Sequence, residues 1–278
     1  MKSLFDTYCY HASKHVTMTY STSFYSGVSK LDKKIRNDVH AIYGMVRFAD
    51  EIVDSFHDFD KETLLLEFKE ATFLAIERGI SLNPILNSFQ STVNKYNIDF
   101  ELINQFFNSM EMDLNPVNYT QEKYDEYIFG SAEAVGLMCL KIFVYGDSEE
   151  YEKLKPYAMR LGAAFQKINF LRDIKDDSQI LGRLYFPNVD TNNMTLENKL
   201  AIEAEIKKDF IEAYKGITML PKSSRFGVYM SYRYYSSLLK HIEKQTLTDL
   251  MNERFSIPAS LKTLLYAKSL IRHSINRL

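Results

Sequence analysis

Between its six prolines and ten glycines the chain is filled by long segments in which apolar residues return every third or fourth position. That period buries one face of an α-helix. Ser29 can cap a helix that runs through Phe56, and Asp60 can cap another through Arg78. Further periodic segments cover roughly 82–95, 99–113, 120–145, 148–180, 195–217, 222–245 and 259–276, and GRLYFPNVDTNNMT at 182–195 is the clearest loop. No stretch alternates apolar and polar residues as a half-buried strand does. No repeat, low-complexity tract or Ser/Gly/Pro-rich linker interrupts the pattern either, so it predicts an all-α fold in a single domain over residues 1–278.

Composition narrows the class. At 46% hydrophobic residues in 278, the chain can bury a sizeable core. Its 34 basic and 36 acidic residues leave a formal charge of -2, so nothing draws it to nucleic acid. The only cysteines, Cys9 and Cys139, lack CxxC spacing. They read as ordinary buried thiols in a reducing compartment rather than a disulfide framework or a zinc site. MKSLFDTYCYHASKH at the start lacks the apolar core of a signal peptide, and AVGLMCLKIFVYG at 134–146 is short and carries Lys141. The expectation is a cytoplasmic protein without a spanning helix. Nothing in the pattern specifies an oligomer.

Two short stretches carry the chemistry. In RFADEIVD (47–54), Arg47, Asp50 and Asp54 share a helix face with Tyr43. In NFLRDIKDD (169–177), Asn169, Asp173 and Asp177 share a face with Gln166, and Arg172 sits beside them. Each pair of aspartates four apart costs its helix roughly 0.2–0.5 kcal/mol. The residues alone leave two readings open. Both stripes are solvated faces, as charge runs usually are, or they bind a cation that offsets the repulsion. Carboxylates and a carboxamide offer only oxygen, the ligand of a hard ion such as Mg²⁺. Arginines beside them suit phosphate.

Together, Tyr43, Arg47, DEIVD (50–54), Gln166, NFLRD (169–173) and Asp177 resemble the squalene/phytoene synthase family. YSTSF (20–24) is similar to that family's serine-rich segment, YIFGSAEAVGLM (127–138) to its central helix and GRLYFP (182–187) to its tyrosine loop. Tyr235 and Arg254 stand where the family has a late tyrosine and a diphosphate-binding arginine, so the likeness spans about residues 8 to 272. The resemblance implies an isoprenoid synthase-type helical bundle around a central cavity. It also implies that Asp50, Asp54, Asp173 and Asp177 hold Mg²⁺, with Mn²⁺ as a substitute, and that Asn169 completes a metal shell. Arg47, Arg172 and Arg254 would grip phosphate, while Ser21, Ser23, Tyr43, Gln166, Tyr185 and Tyr235 line the substrate site. One departure is SAEAVG at 131–136, where many relatives read VAGTVG, so that Glu133 and Ala134 replace a glycine and a small hydroxyl residue without touching a metal ligand.

The activity implied is a head-to-head joining of two prenyl diphosphates through a cyclopropylcarbinyl diphosphate. Phytoene from geranylgeranyl diphosphate is the expected product, and it needs no nicotinamide cofactor. Dehydrosqualene or squalene from farnesyl diphosphate is the runner-up, and a non-catalytic assembly protein of the same fold is the alternative of another class. A hydrocarbon product implies transient, peripheral contact with a membrane surface. ASLKTLLYAKSLIRHSINRL (259–278), mixed apolar and basic, either lies at that interface or packs on its own domain. His40, on the Tyr43 face and roughly 15 Å along the helix from Asp50, either gauges substrate length or is an ordinary half-buried histidine.

Overall fold

The computed structural model describes residues 1–114, 119–179, 185–187, 194–252 and 255–274. Among them the regular structure is helical throughout: α1 (Lys2–Tyr20), α2 (Thr22–Val28), α3 (Lys33–Ser55), α4 (Lys61–Arg78), α5 (Pro84–Tyr96), α6 (Phe100–Leu114) and α7 (Gln121–Ile128). A π-helical turn, Phe129–Glu133, then leads into α8 (Ala134–Phe143), α9 (Ser148–Gln179), α10 (Leu196–Met219), α11 (Lys222–Ile242), α12 (Leu247–Asn252) and α13 (Ala259–Ser274).

Local chemistry sets the boundaries. The expected helix from Ser29 to Phe56 begins later, because Asp32 is its cap and accepts from Lys34 N at 2.8 Å, while Ser29 closes α2. Asp60 caps α4 as expected, accepting from Thr63 N at 3.1 Å. Gly79 then ends α4 at φ 68°, a left-handed conformation that glycine adopts without strain. Asn83 and Pro84 start α5, and Thr195 and Asn198 form a capping box on α10. The segment expected as one helix over 120–145 is continuous but contains the π turn, where Ala134 N donates to the Phe129 carbonyl five residues back.

Two apolar clusters share the interior. One gathers α3, α5, α6 and α8 around Ile35, Met45, Phe89, Phe106, Phe107 and Leu137. The other joins α7, α9, α10 and α11 around Tyr127, Ile168, Phe170, Leu171, Ile206 and Leu238. The π turn lies where α6 and α9 press on the chain from two sides. A Cβ on Gly130 would stand 2.2 Å from the Gln105 carbonyl oxygen of α6, and one on Gly162 of α9 would stand 2.8 Å from the Ala132 carbonyl oxygen. The helix that carries the second acidic stripe is thus set against the central helix at backbone contact.

α13 packs on α11, burying Leu265 and Ser269, and leaves Leu261, Leu264 and Leu270 exposed. No helix among the described residues is long and apolar enough to cross a membrane. Cys9 and Cys139 are both free, the first buried and the second half-buried. His40 is 2% exposed; its Nδ1 lies 3.0 Å from Thr17 Oγ1 of α1 and its ring stacks on Tyr25 of α2. It is therefore part of the packing between α1, α2 and α3.

Two stability outcomes follow. Gly130→Ala drives a methyl group into a backbone carbonyl that cannot step aside, and thermal denaturation should show a loss of about 1–3 kcal/mol. An unchanged melting temperature would refute the close packing. Burial first, with Lys14 and Arg36 adding repulsion, holds the His40 imidazole down to about 4 from its ordinary 6.5. Its folded value is below its unfolded one, so stability present above pH 6.5 is lost as pH falls toward 4, by about 1–3 kcal/mol. His40→Gln, which cannot take a proton, should melt with a shallower dependence over that window; parallel curves would rule His40 out as the cause.

Candidate active site

The first stripe lies on the C-terminal half of α3. Ala49, Ile52 and Val53 bury the other face of that segment, which leaves Tyr43, Arg47, Asp50 and Asp54 at half-buried positions. The Arg47 guanidinium sits 4.5 Å over the Tyr20 ring, Nη2 donates to Glu51 and Nη1 is 4.0 Å from Asp50. Burial works against its charge, but Asp50 and then Glu51 outweigh it and hold its pKa above the ordinary value. The third guanidinium nitrogen, Nε, is buried with no acceptor among the described residues.

The second stripe lies on α9. Asn169 Nδ2 donates weakly to Gln166 Oε1 at 3.5 Å, and Arg172 pairs with Asp173, with Nε donating to Oδ1 at 2.9 Å and Nη2 to Oδ2. Asp177 follows one turn later at a half-buried position.

Tyr235 of α11 joins the two. Its hydroxyl donates to Asn169 Oδ1 at 3.3 Å, and its ring stacks on Phe165 with centroids 4.0 Å apart. The Tyr235 phenol also adds slightly to what opposes ionisation of Tyr43 on α3. Burial, with Asp50 adding to it, pushes the Tyr43 phenol up to about 12 against the pull of Arg47 and a hydrogen bond with Ser21. Tyr43 therefore stays neutral and presents a ring, stacked on Phe24 at 4.8 Å. Ser21 caps α2 by accepting from Phe24 N at 3.3 Å, and Ser23 accepts from Lys262 Nζ of α13 at 3.2 Å.

Tyr185 occupies a different setting. It is buried, stacked flat on Phe170 at 4.1 Å, and its hydroxyl donates to Asp113 Oδ1 at 2.9 Å while Tyr127 donates to the other oxygen at 2.7 Å. Through Phe170 it braces α9 between Asn169 and Asp173. Arg254 lies outside the described residues. Glu133, at the end of the π turn, is half-buried, and burial raises its carboxyl to about 7 against the pull of Arg160 and Lys167 of α9.

Four contributors escape sequence reasoning. Glu51 is one turn from Arg47 and belongs to the same stripe by period. Tyr20 opens the serine-rich segment, but nothing local pairs it with Arg47. Lys262 reaches Ser23 across 239 positions, and Asp113 reaches Tyr185 across 72, so neither has any sequence signal.

Among the described residues no three His, Cys, Asp or Glu side chains already converge as a metal cage. Mg²⁺ typically takes one or two protein carboxylates and completes its shell with water and substrate phosphate. The oxygen donors Asp50, Asp54, Asn169, Asp173 and Asp177 fit that mode, and the unsatisfied Arg47 Nε fits an anion.

The chain is 26% identical over 97% of its length to phytoene synthase 1 of Arabidopsis thaliana, covering 68% of that protein. It is 28% identical over 94% of its length to phytoene synthase 2 of Solanum lycopersicum, covering 91% of that one. Its fold superposes on a dehydrosqualene synthase solved with a ligand at TM-score 0.83, with 19% identity, covering 97% of this chain and 98% of that one. It also matches squalene synthase HpnC from Alicyclobacillus acidocaldarius at TM-score 0.72, with 20% identity, covering 85% of this chain and 94% of the other. The squalene/phytoene synthase profile matches residues 17–260, and the chain belongs to that family, with its isoprenoid synthase fold.

Proposed function

We propose that the protein condenses two geranylgeranyl diphosphates head to head, through a cyclopropylcarbinyl diphosphate, into phytoene for carotenoid biosynthesis. The carrying observation is the buried Arg47 Nε without an acceptor among the described residues, held between Tyr20, Glu51 and Asp50. A buried donor left unpaired costs about 1–3 kcal/mol. A diphosphate oxygen would remove that cost and add a charge-assisted bond.

Asp50, Asp54, Asn169, Asp173 and Asp177 would hold Mg²⁺, or Mn²⁺ in its place, in an oxygen-only setting. Bound there, Mg²⁺ neutralises diphosphate that the carboxylates would otherwise repel and stabilises the charge developing as a C–O bond breaks. The chain's own residues do the rest. Arg47, Arg172 and Arg254 bind phosphate oxygens, and Ser21, Ser23 and Gln166 orient them. The neutral rings of Tyr43 and Tyr235, backed by Phe24 and Phe165, face a carbocation without offering it a strong nucleophile.

The reaction ends in loss of a proton, so no nicotinamide cofactor enters. The names of the phytoene synthase relatives support the C20 substrate. Incubating pure protein with Mg²⁺ and each prenyl diphosphate, then identifying the extracted hydrocarbon, decides it. Phytoene from the C20 substrate is expected; dehydrosqualene or squalene from farnesyl diphosphate would replace this reading, and no hydrocarbon from either would return the protein to a non-catalytic assembly role.

Metal dependence gives one outcome: excess EDTA should abolish turnover and Mg²⁺ should restore it, whereas full activity in EDTA would refute the metal assignment. Asp54→Asn gives another, since it relieves repulsion with Asp50. Its melting temperature should hold or rise slightly while kcat falls by about 100-fold or more. A variant that melts much lower yet turns over normally when folded would make Asp54 structural.

A further inference from the structure

The two arginines of the site are paired in unlike ways. Arg47 leans on Glu51, which lies off the Asp50/Asp54 pair, and stays 4.0 Å from Asp50. Arg172 instead spans Asp173 itself, engaging both carboxylate oxygens in a two-pronged ion pair. Those are the atoms through which Asp173 would meet a metal ion. The pair is also sheltered, with side-chain exposures of 20% and 18%. One turn back, Asn169 Oδ1 is engaged by the Tyr235 hydroxyl. Pulling Arg172 off Asp173 alone would leave a half-buried guanidinium without its carboxylate, which is costly. Exchanging both partners at once, carboxylate to cation and guanidinium to phosphate, avoids that cost.

We propose that Arg172 is an internal counter-ion that masks Asp173 and yields it to a divalent cation only as a diphosphate takes over the guanidinium, so that metal and diphosphate enter the second stripe together. The proposal rests on the metal-diphosphate reading above and adds an order to it. Without phosphate, Arg172 competes with the cation for one carboxylate. With phosphate, the two cease to compete and each ligand raises the other's affinity by the same factor. An arginine that merely attracted phosphate would leave metal binding in the absence of phosphate unchanged or, by its positive charge alone, slightly weakened.

The test measures Mn²⁺ binding to the full chain by electron paramagnetic resonance, with no prenyl substrate and with melting temperatures recorded alongside. Arg172→Gln should bind Mn²⁺ alone about 10-fold tighter than wild type, the equivalent of roughly 1.4 kcal/mol. Arg172→Lys keeps the charge but cannot span two oxygens, and should fall between them, about 3-fold tighter than wild type. The gain should vanish when Asp173→Asn is added to Arg172→Gln, because the unmasked ligand is gone. A folded Arg172→Gln that binds Mn²⁺ no tighter than wild type overturns the masking. Should that variant fail to fold, Arg172→Lys binding no tighter than wild type overturns it equally. Wild type that fails to bind Mn²⁺ even with inorganic pyrophosphate present removes the underlying metal reading itself, and is distinguishable from failure of the mask alone.

Discussion

Carboxylates four apart on a helix repel, and each stripe of this protein meets that repulsion with an arginine of its own helix. Arg47 stands within reach of Asp50 and Arg172 chelates Asp173. Much else in the structure serves to keep these charges half-buried, where they are neither screened by bulk water nor stranded in the core. The Tyr20 ring lies under one guanidinium, Tyr235, stacked on Phe165, holds Asn169 one turn from Asp173, and backbone contact at Gly162 fixes how close α9 comes to the central helix. Guanidinium suits this role because it stays protonated under such burial and can hold two oxygens in one plane.

Most helices are legible in the sequence because each packs one apolar stripe on one core. Asp60 with Gly79, Asn83 with Pro84 and Thr195 with Asn198 mark their ends by local hydrogen bonds, which sequence spacing records. α1 carries no such signal, because its sequence, KSLFDTYCYHASKHVTMTY, mixes polar and aromatic residues and its buried face includes Ser13 and Thr17. Those two hydroxyls are satisfied by Ser88 and by the backbone, partners that lie outside any apolar pattern. The π turn is invisible for a related reason: one extra residue in a helix leaves the apolar period almost unchanged, and only Gly130 and Gly162 betray the close approaches around it.

The candidate site divides along the same line. Its stripes follow from helical period, so Tyr43, Arg47, Asp50 and Asp54 and their counterparts on α9 can be placed on faces before any fold is known. What joins the stripes is tertiary. Tyr235 links α11 to Asn169 on α9, and Asp113 pins Tyr185 against Phe170 so that α9 is braced between two of its own site residues. No spacing rule relates residues so far apart in sequence, and burial of a carboxylate between two phenols is tolerated only because both of its oxygens are hydrogen-bonded.

The bond from Lys262 to Ser23 spans 239 positions of the chain. It ties α2 to α13, directly beside the serine that caps α2 and the phenol of Tyr43. During synthesis, both acidic stripes and the tyrosine between them emerge from the ribosome well before residue 262 does. The nascent chain therefore passes through a stage in which the acidic stripes exist but Ser23 lacks the Lys262 ammonium, and this part of the site is finished only when α13 is made.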